Sequence, residues 1–254
     1  MKKETNVHGL SRYIPSEIKL EVRKNSGFGC VICGLFIYEY EHIDPDFKNA
    51  KTHDSKNICL LCPTHHAKVT KGLITKEEIK KAHENPQSKQ QGFVNDFEFT
   101  ILKRPLTVQI GNIIFNNPSL LLKVDEKELI GIKEDLNHNL LLNANFYDEH
   151  GNVILEIIEN EWITNIDNWD IDVKGKEIII KNDFFKTILH VTVSPPHQIL
   201  FNYIRMFLPN CSFLDSMPDD EKNSGYVKLI TKEGIGVRSN KITTGGYINI
   251  IVLK

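Results

Sequence analysis

Residues 15–26, PSEIKLEVRKNS, place Ile18 and Val22 one helical turn apart behind a proline and a serine, which predicts a short helix ended by Gly27 and Gly29. From Leu35 to Ile43 the run LFIYEYEHI is aromatic and β-branched with partial alternation, and it predicts a strand that stops at Asp44-Pro45. A loop rich in Lys, Asn and Asp follows, and NICLL (57–61) then predicts a second short strand. Pro63 suits the first position of a helix through THHAKVT, closed by Gly72. In TKEEIKKAHE (75–84), Thr75 followed three places later by Glu78 is a capping-box pattern, so another helix is predicted up to Pro86.

The stretch Gln87 to Gly92, QSKQQG, is polar throughout and predicts an unstructured break between domains. Beyond it the character changes to short β-rich runs punctuated by turn residues: LTVQIGNIIF, LLLNANFYDEHGNVILEII, GKEIIIKND, ILHVTVSPP, YVKLITKEG and YINIIVLK. That rhythm predicts a mostly antiparallel β-sandwich or barrel-like domain, with one helix near Ile199 to Phe207. The fold class expected is therefore α+β, with a small first domain over residues 1–91 and a β-rich domain over 92–254. No solenoid repeat and no phosphate-binding glycine loop interrupts the pattern.

Charge sharpens the division. Residues 1–91 hold 15 Lys+Arg against 11 Asp+Glu, a formal +4, which leaves 16 against 22, or −6, for the remainder. The first part is thus the better candidate for contact with nucleic acid. No apolar run approaches a membrane span, so no membrane association is expected. The opening MKKETNVHGLSRYIPSE has two lysines but no apolar stretch after them, which speaks against a secretory leader and for a cytoplasmic setting. Four of the five cysteines lie within 33 residues in C-x-x-C pairs, a spacing that in a reducing compartment points to metal rather than to disulfides.

Cys30-Val31-Ile32-Cys33 is a compact knuckle, and Cys62-Pro63-Thr64-His65 repeats its two-residue gap, so together they offer four tetrahedral S and N ligands. Cys59 and Cys62 also form a C-x-x-C pair, and spacing alone does not choose between the two assignments. Cys62 with His65 is favoured because Cys59 sits inside NICLL, where a cysteine packs as a small hydrophobe and an extended chain would point 59 and 62 to opposite faces. A second group stands beside the first. Glu41-His42 closes the first strand, while His66 follows His65 about 100° around the helix axis, so that adjacent histidines serve two different sites. A carboxylate and an imidazole suit a divalent ion with open positions, and a separate neutral histidine suits a general base. His53, in the loop between Glu41 and Asn57, is placed to approach the site, but neither it nor His83 nor Cys211 has a spacing that requires a role, and Trp162 and Trp169 read as core or rim of the β domain rather than as a base-stacking platform.

The runs CVIC, YEHIDP and KNICLLCPTHHAKVTKG together resemble the HNH, or ββα-metal, nuclease family in its zinc-knuckle form, over roughly residues 27–72. The resemblance implies a zinc-stapled nuclease domain in which His42 activates water, Asn57 orients the loop and the base, and Glu41 with His66 holds the catalytic ion. It further implies that Cys30, Cys33, Cys62 and His65 hold structural Zn2+, His65 standing where the family usually has cysteine and Glu41 where aspartate is commoner. The catalytic ion expected is Mg2+ or Mn2+, with Zn2+ or Ni2+ as alternatives. DNA is the implied partner, and Lys68 and Lys71 are candidates for contact with its phosphates. Residues 92–254 would then serve targeting, oligomerisation or the sensing of a protein or small-molecule ligand, as in a defence system whose signal releases the nuclease. The competing expectation is a zinc-stabilised module that binds nucleic acid or protein without catalysis, against which the joint presence of Glu41, His42, Asn57 and His66 argues.

Overall fold

The computed structural model describes residues 5–96, 102–124, 127–148, 150–167, 170–184, 186–208, 213–217, 226–230, 236–239, 242–245 and 251–253. Cys211 and Trp169 lie outside them. The fold is mixed, mostly sheet with few helices, and the chain divides into two compact units, residues 1–95 with Asp170–Val173, and residues 96–169 with 174–254. Among the described residues no helix is long and apolar enough to cross a membrane.

In the first unit, helix α1 (Ser16–Asn25) carries Glu17 in its first turn and Arg23 and Lys24 in its last, the order that complements a helix dipole. It buries Val22 against Ile14, Ile58 and Leu60. Gly27 turns the chain at φ +67°, and a Cβ there would meet Ser88 Oγ at 2.4 Å, so both conformation and space demand glycine. Strand β1 (Glu39–His42) pairs antiparallel with β2 (Ile58–Leu61), setting Glu41 opposite Cys59 and His42 opposite Ile58. The strand predicted from Leu35 starts only at Glu39, because the residues before it close the cysteine knuckle instead, Cys30 N–H bonding Leu35 O at 2.8 Å. Helix α2 (Pro63–Thr70) starts with proline at N1 behind Cys62, and α3 (Lys76–Glu84) has the complete capping box of Thr75 and Glu78.

QSKQQG is not an unstructured break. Gln87–Gln91 form helix α4, whose Gln87 N–H bonds Val31 O and whose Ser88, fully buried, donates to Ser26 O. Gly92 ends it at φ +85° with its N–H on Ser88 O. Polarity suggested solvent, but these side and main chains bond back to the knuckle. The first unit also holds a buried ion pair, in which Arg23 Nε and Nη2 donate to the two carboxylate oxygens of Asp170 at 2.8 and 2.9 Å, while Nη1 donates to Tyr40 Oη at 3.0 Å and lies 3.6 Å from Asp172 Oδ1.

The second unit is built of mostly antiparallel sheet. Leu120–Val124, Lys127–Glu134, Leu140–Tyr147, Val153–Ile158 and Glu161–Asn165 succeed one another as antiparallel neighbours. So do Glu177–Lys181, Thr187–Ser194, Gln198–Phe207, Phe213–Met217, Tyr226–Ile230 and Gly236–Ser239. Alternation places Leu142, Ala144 and Phe146 of one sheet and Leu189, Val191 and Val193 of the other in the core, and Phe146 meets Phe201 with ring centroids 5.7 Å apart. Trp162 is fully buried here, as its core reading requires.

The helix expected near Ile199 to Phe207 is instead the strand Gln198–Phe207. Its buried residues Ile199, Phe201, Ile204 and Met206 form two period-2 pairs offset by one position, because Val191 pairs with Phe201 and His190 with Tyr203, leaving Asn202 as a bulge. That extra residue shifts the apolar set and imitates helical spacing.

Candidate metal centre and the adjoining cleft

Cys30, Cys33, Cys62 and His65 each offer one ligand atom, and the four atoms lie within 4.8 Å of one another. The knuckle brings the first two together through Gly34 N–H on Cys30 O at 2.8 Å, and Val31 N–H on Leu60 O ties it to β2. Cys62 is the N-cap of α2, its sulfur accepting from His65 N–H at 3.5 Å, so one helix turn aims Cys62 and His65 at the same point. Zinc with bonds of about 2.3 Å to sulfur and about 2.0–2.1 Å to nitrogen requires tetrahedral S···S and S···N separations of about 3.8 and 3.6 Å. Here Cys33 Sγ and Cys62 Sγ are 3.8 Å apart, and His65 Nδ1 is 3.4 Å from Cys30 Sγ and 3.2 Å from Cys62 Sγ. The set can therefore hold a metal such as zinc.

The hydrogen bond from Cys33 holds the Cys30 thiol down to about 5 against the opposing effect of burial. Cys59 is in a different state. It is fully buried in β2, packs with Val31, Ile43, Leu61 and Ile79, and burial pushes its thiol well above the usual range. It is not a member of the four-ligand group.

Period-2 alternation puts Glu39 and Glu41 on one face of β1, and α2 lays His66 between them. His66 Nδ1 lies 2.8 Å from Glu39 Oε2, and His66 Nε2 lies 3.0 Å from Glu41 Oε2. The other oxygen of Glu41 is bonded by Lys76 Nζ, which also donates to the backbone carbonyl of His42. His42 is 9% exposed at the end of the strand. Burial first, and then the nearness of the His53 imidazole, bring its imidazole down to about 4 against the pull of Glu41, so it is neutral at neutral pH.

Glu41, His42 and His66 line one cleft of about 290 Å³ together with Arg12, Lys19, Tyr40 and Phe47. The Lys19 ammonium sits 5.6 Å from the Tyr40 ring centre and the Arg12 guanidinium 4.8 Å from that of Phe47. Asn57 lines a neighbouring recess with His42, and its side chain bonds Asp54 Oδ2 at 2.9 Å while its carbonyl accepts from Ile43 N–H. It therefore ties the loop before β2 to the end of β1. Lys68 and Lys71 are exposed on α2 and at its C-cap, and they are not among the residues lining the cleft.

Sequence reasoning thus assembled Glu41, His42 and His66, left His53 as a bystander able to approach them, and missed Glu39, Lys76, Arg12 and Lys19. Glu39 carried a signal, since it stands two residues before Glu41 on a strand and so shares its face. The others arrive from distant segments with no periodicity to announce them. Compared with models of protein families, with curated proteins and with solved structures, the chain matched none.

Proposed function

We propose that the first unit is a zinc-stapled, metal-dependent endonuclease module of the HNH type, acting on the phosphodiester backbone of DNA. The observation that carries this reading is the array Glu39–His66–Glu41 beside a neutral His42 in one cation-lined cleft. Phosphodiester hydrolysis needs an acceptor for the proton of an in-line water and positive charge where the transition state becomes more negative. His42 is the acceptor. Glu41 and His66 present an oxygen and a nitrogen 3.0 Å apart, a donor set suited to Mg2+ or Mn2+ and compatible with Zn2+ or Ni2+. Bound there, the ion would supply Lewis acidity at the phosphoryl group and stabilise the leaving oxygen. Glu39 accepts from His66 Nδ1 and so turns Nε2 toward Glu41, the way a carboxylate commonly orients a metal-binding imidazole. Arg12 and Lys19 offer cations to the backbone inside the cleft, with Lys68 and Lys71 outside it.

One observation favours a second reading, a zinc-stabilised binding module without catalysis: the Lys76 ammonium already neutralises Glu41. Supercoiled plasmid separates the two. Cleavage by the full-length protein with Mg2+ or Mn2+ should fall by about 10²–10⁴ in His42→Ala with zinc retained. In His66→Ala it should recover in part at high metal, because added metal cannot replace a proton acceptor but can refill a weakened site. Wild-type cleavage by His42→Ala would end the catalytic assignment, and no cleavage by the wild type with any divalent metal would leave the binding module.

A further inference from the structure

Against His42 lies a histidine, His53, that the proposed chemistry does not use. His53 Nε2 lies 2.9 Å from the carbonyl oxygen of Ser11, and its Nδ1 lies 3.2 Å from His42 Nε2. A carbonyl only accepts, so His53 Nε2 carries the hydrogen. A neutral imidazole has one N–H, which leaves His53 Nδ1 as an acceptor and requires His42 Nε2 to donate to it. The lone pair of His42 then resides on Nδ1.

We propose that His53 is a positioning residue that fixes His42 as its Nε2–H tautomer and so makes Nδ1 the nitrogen that takes the proton from water. This rests on His42 being the proton acceptor proposed above.

The segments around the pair are built to hold it. Asn6 Nδ2 donates to the carbonyls of Phe47 and Ala50, 2.6 Å each, while Asn6 Oδ1 accepts from His8 and Leu10 N–H. This clamps the N-terminal segment bearing Ser11 onto the loop that leads to His53. Phe47 packs on both imidazoles, stacked on His53 at an interplanar angle of 11° and tilted against His42 with centroids 5.4 Å apart. Neither ring can therefore turn over without disturbing the other's hydrogen bond. When His42 takes a proton on Nδ1, its Nε2–H bond to His53 becomes charge-assisted and strengthens. The chain ends on a carbonyl, which has no proton to give and is a poor holder of one, so it orients His42 rather than carrying its proton away.

The substitutions that separate the two ends of His53 follow from its shape. Asn places an amide oxygen near the position of Nδ1 and keeps the acceptor for His42, whereas Gln reaches toward Ser11 but offers nothing at that position. Long-range ¹H–¹⁵N spectra of the full-length, zinc-replete protein labelled at histidine, with His42 assigned by difference against His42→Gln, read the tautomer without reference to activity. The expected result is His42 as Nε2–H in the wild type and in His53→Asn, and a tautomer mixture in His53→Ala and His53→Gln. An Nδ1–H or doubly protonated His42 in the wild type at neutral pH, or an unchanged tautomer in His53→Ala with zinc retained, overturns the proposal. In plasmid cleavage, His53→Ala should lower kcat by about 10- to 100-fold with KM for DNA unchanged, and His53→Asn should restore most of it. A His53→Asn variant no faster than His53→Ala also overturns it. A wild type that cleaves nothing ends the nuclease reading, and the spectra then decide the His42–His53 pair by themselves.

Discussion

Withdrawing metal from Cys30, Cys33, Cys62 and His65 should unfold the first unit. Two cores among its described residues are thin: the one around the knuckle counts Cys30, Cys59 and Cys62 among its seven buried residues, and another buries Ile14, Val22, Ile58 and Leu60. A structural zinc is worth about 10–16 kcal/mol at neutral pH. Whole domains are stable by only about 5–15 kcal/mol, so losing the ion removes as much as the unit has to lose. The assay follows from where the reporters lie. Among the described residues all four α-helices fall between Ser16 and Gln91, so helical circular dichroism reads the first unit, while Trp162 is buried in the second and its emission reads that one. The protein as purified should contain about one zinc per chain, because one closed site takes four ligands. Chelation should abolish the helical signal. Cys33→Ser should behave like the chelated protein, whereas Cys59→Ala should keep its zinc and lose only about 1 kcal/mol, as for an ordinary small core change. A chelated protein shown by elemental analysis to be metal-free, yet with its helical signal intact, would refute the reasoning. Zinc loss in Cys59→Ala would refute the ligand assignment.

Two further outcomes follow from buried charge in the first unit. Arg23→Ala takes the bidentate partner from an Asp170 side chain that is 2% exposed, and denaturant unfolding followed by the helical signal should show a loss of about 3–5 kcal/mol. Arg23→Lys should recover only part, since a point charge cannot span both oxygens, and a midpoint unchanged in Arg23→Ala would mean that the pair contributes nothing. His83 is held below its ordinary pKa first by burial and then by Lys89, and its buried Nδ1 has no hydrogen-bond partner among the described residues. The unfolded chain therefore takes up that proton at higher pH than the folded one, so the contribution is complete above about 6.5 and is lost as pH falls through the lowered folded value. Unfolding free energies across that range should fall less steeply in His83→Gln than in the wild type, and parallel slopes would show that His83 is not responsible.

Local pattern was sufficient for much of this protein because the relevant forces are local. Pro63 and the Thr75–Glu78 box place α2 and α3 through groups three or fewer residues apart, and the two-residue gaps of Cys30–Cys33 and Cys62–His65 bring ligand atoms together within single turns. The helix rotation between His65 and His66 likewise assigned them to different surroundings, one to the sulfur cluster and one to Glu39 and Glu41. Tertiary structure decided what adjacency cannot encode. Whether Gln87–Gln91 was free or ordered depended on a carbonyl of Ser26, and Arg23 finds Asp170 across 147 residues of chain. A single bulge at Asn202 turned an apparently helical spacing into a strand. The same limit applies at the cleft. Side-chain chemistry made His42 a candidate base, but the tautomer proposed for it rests on His53 and on the carbonyl of Ser11, an acceptor that every residue carries and that only the folded chain can select.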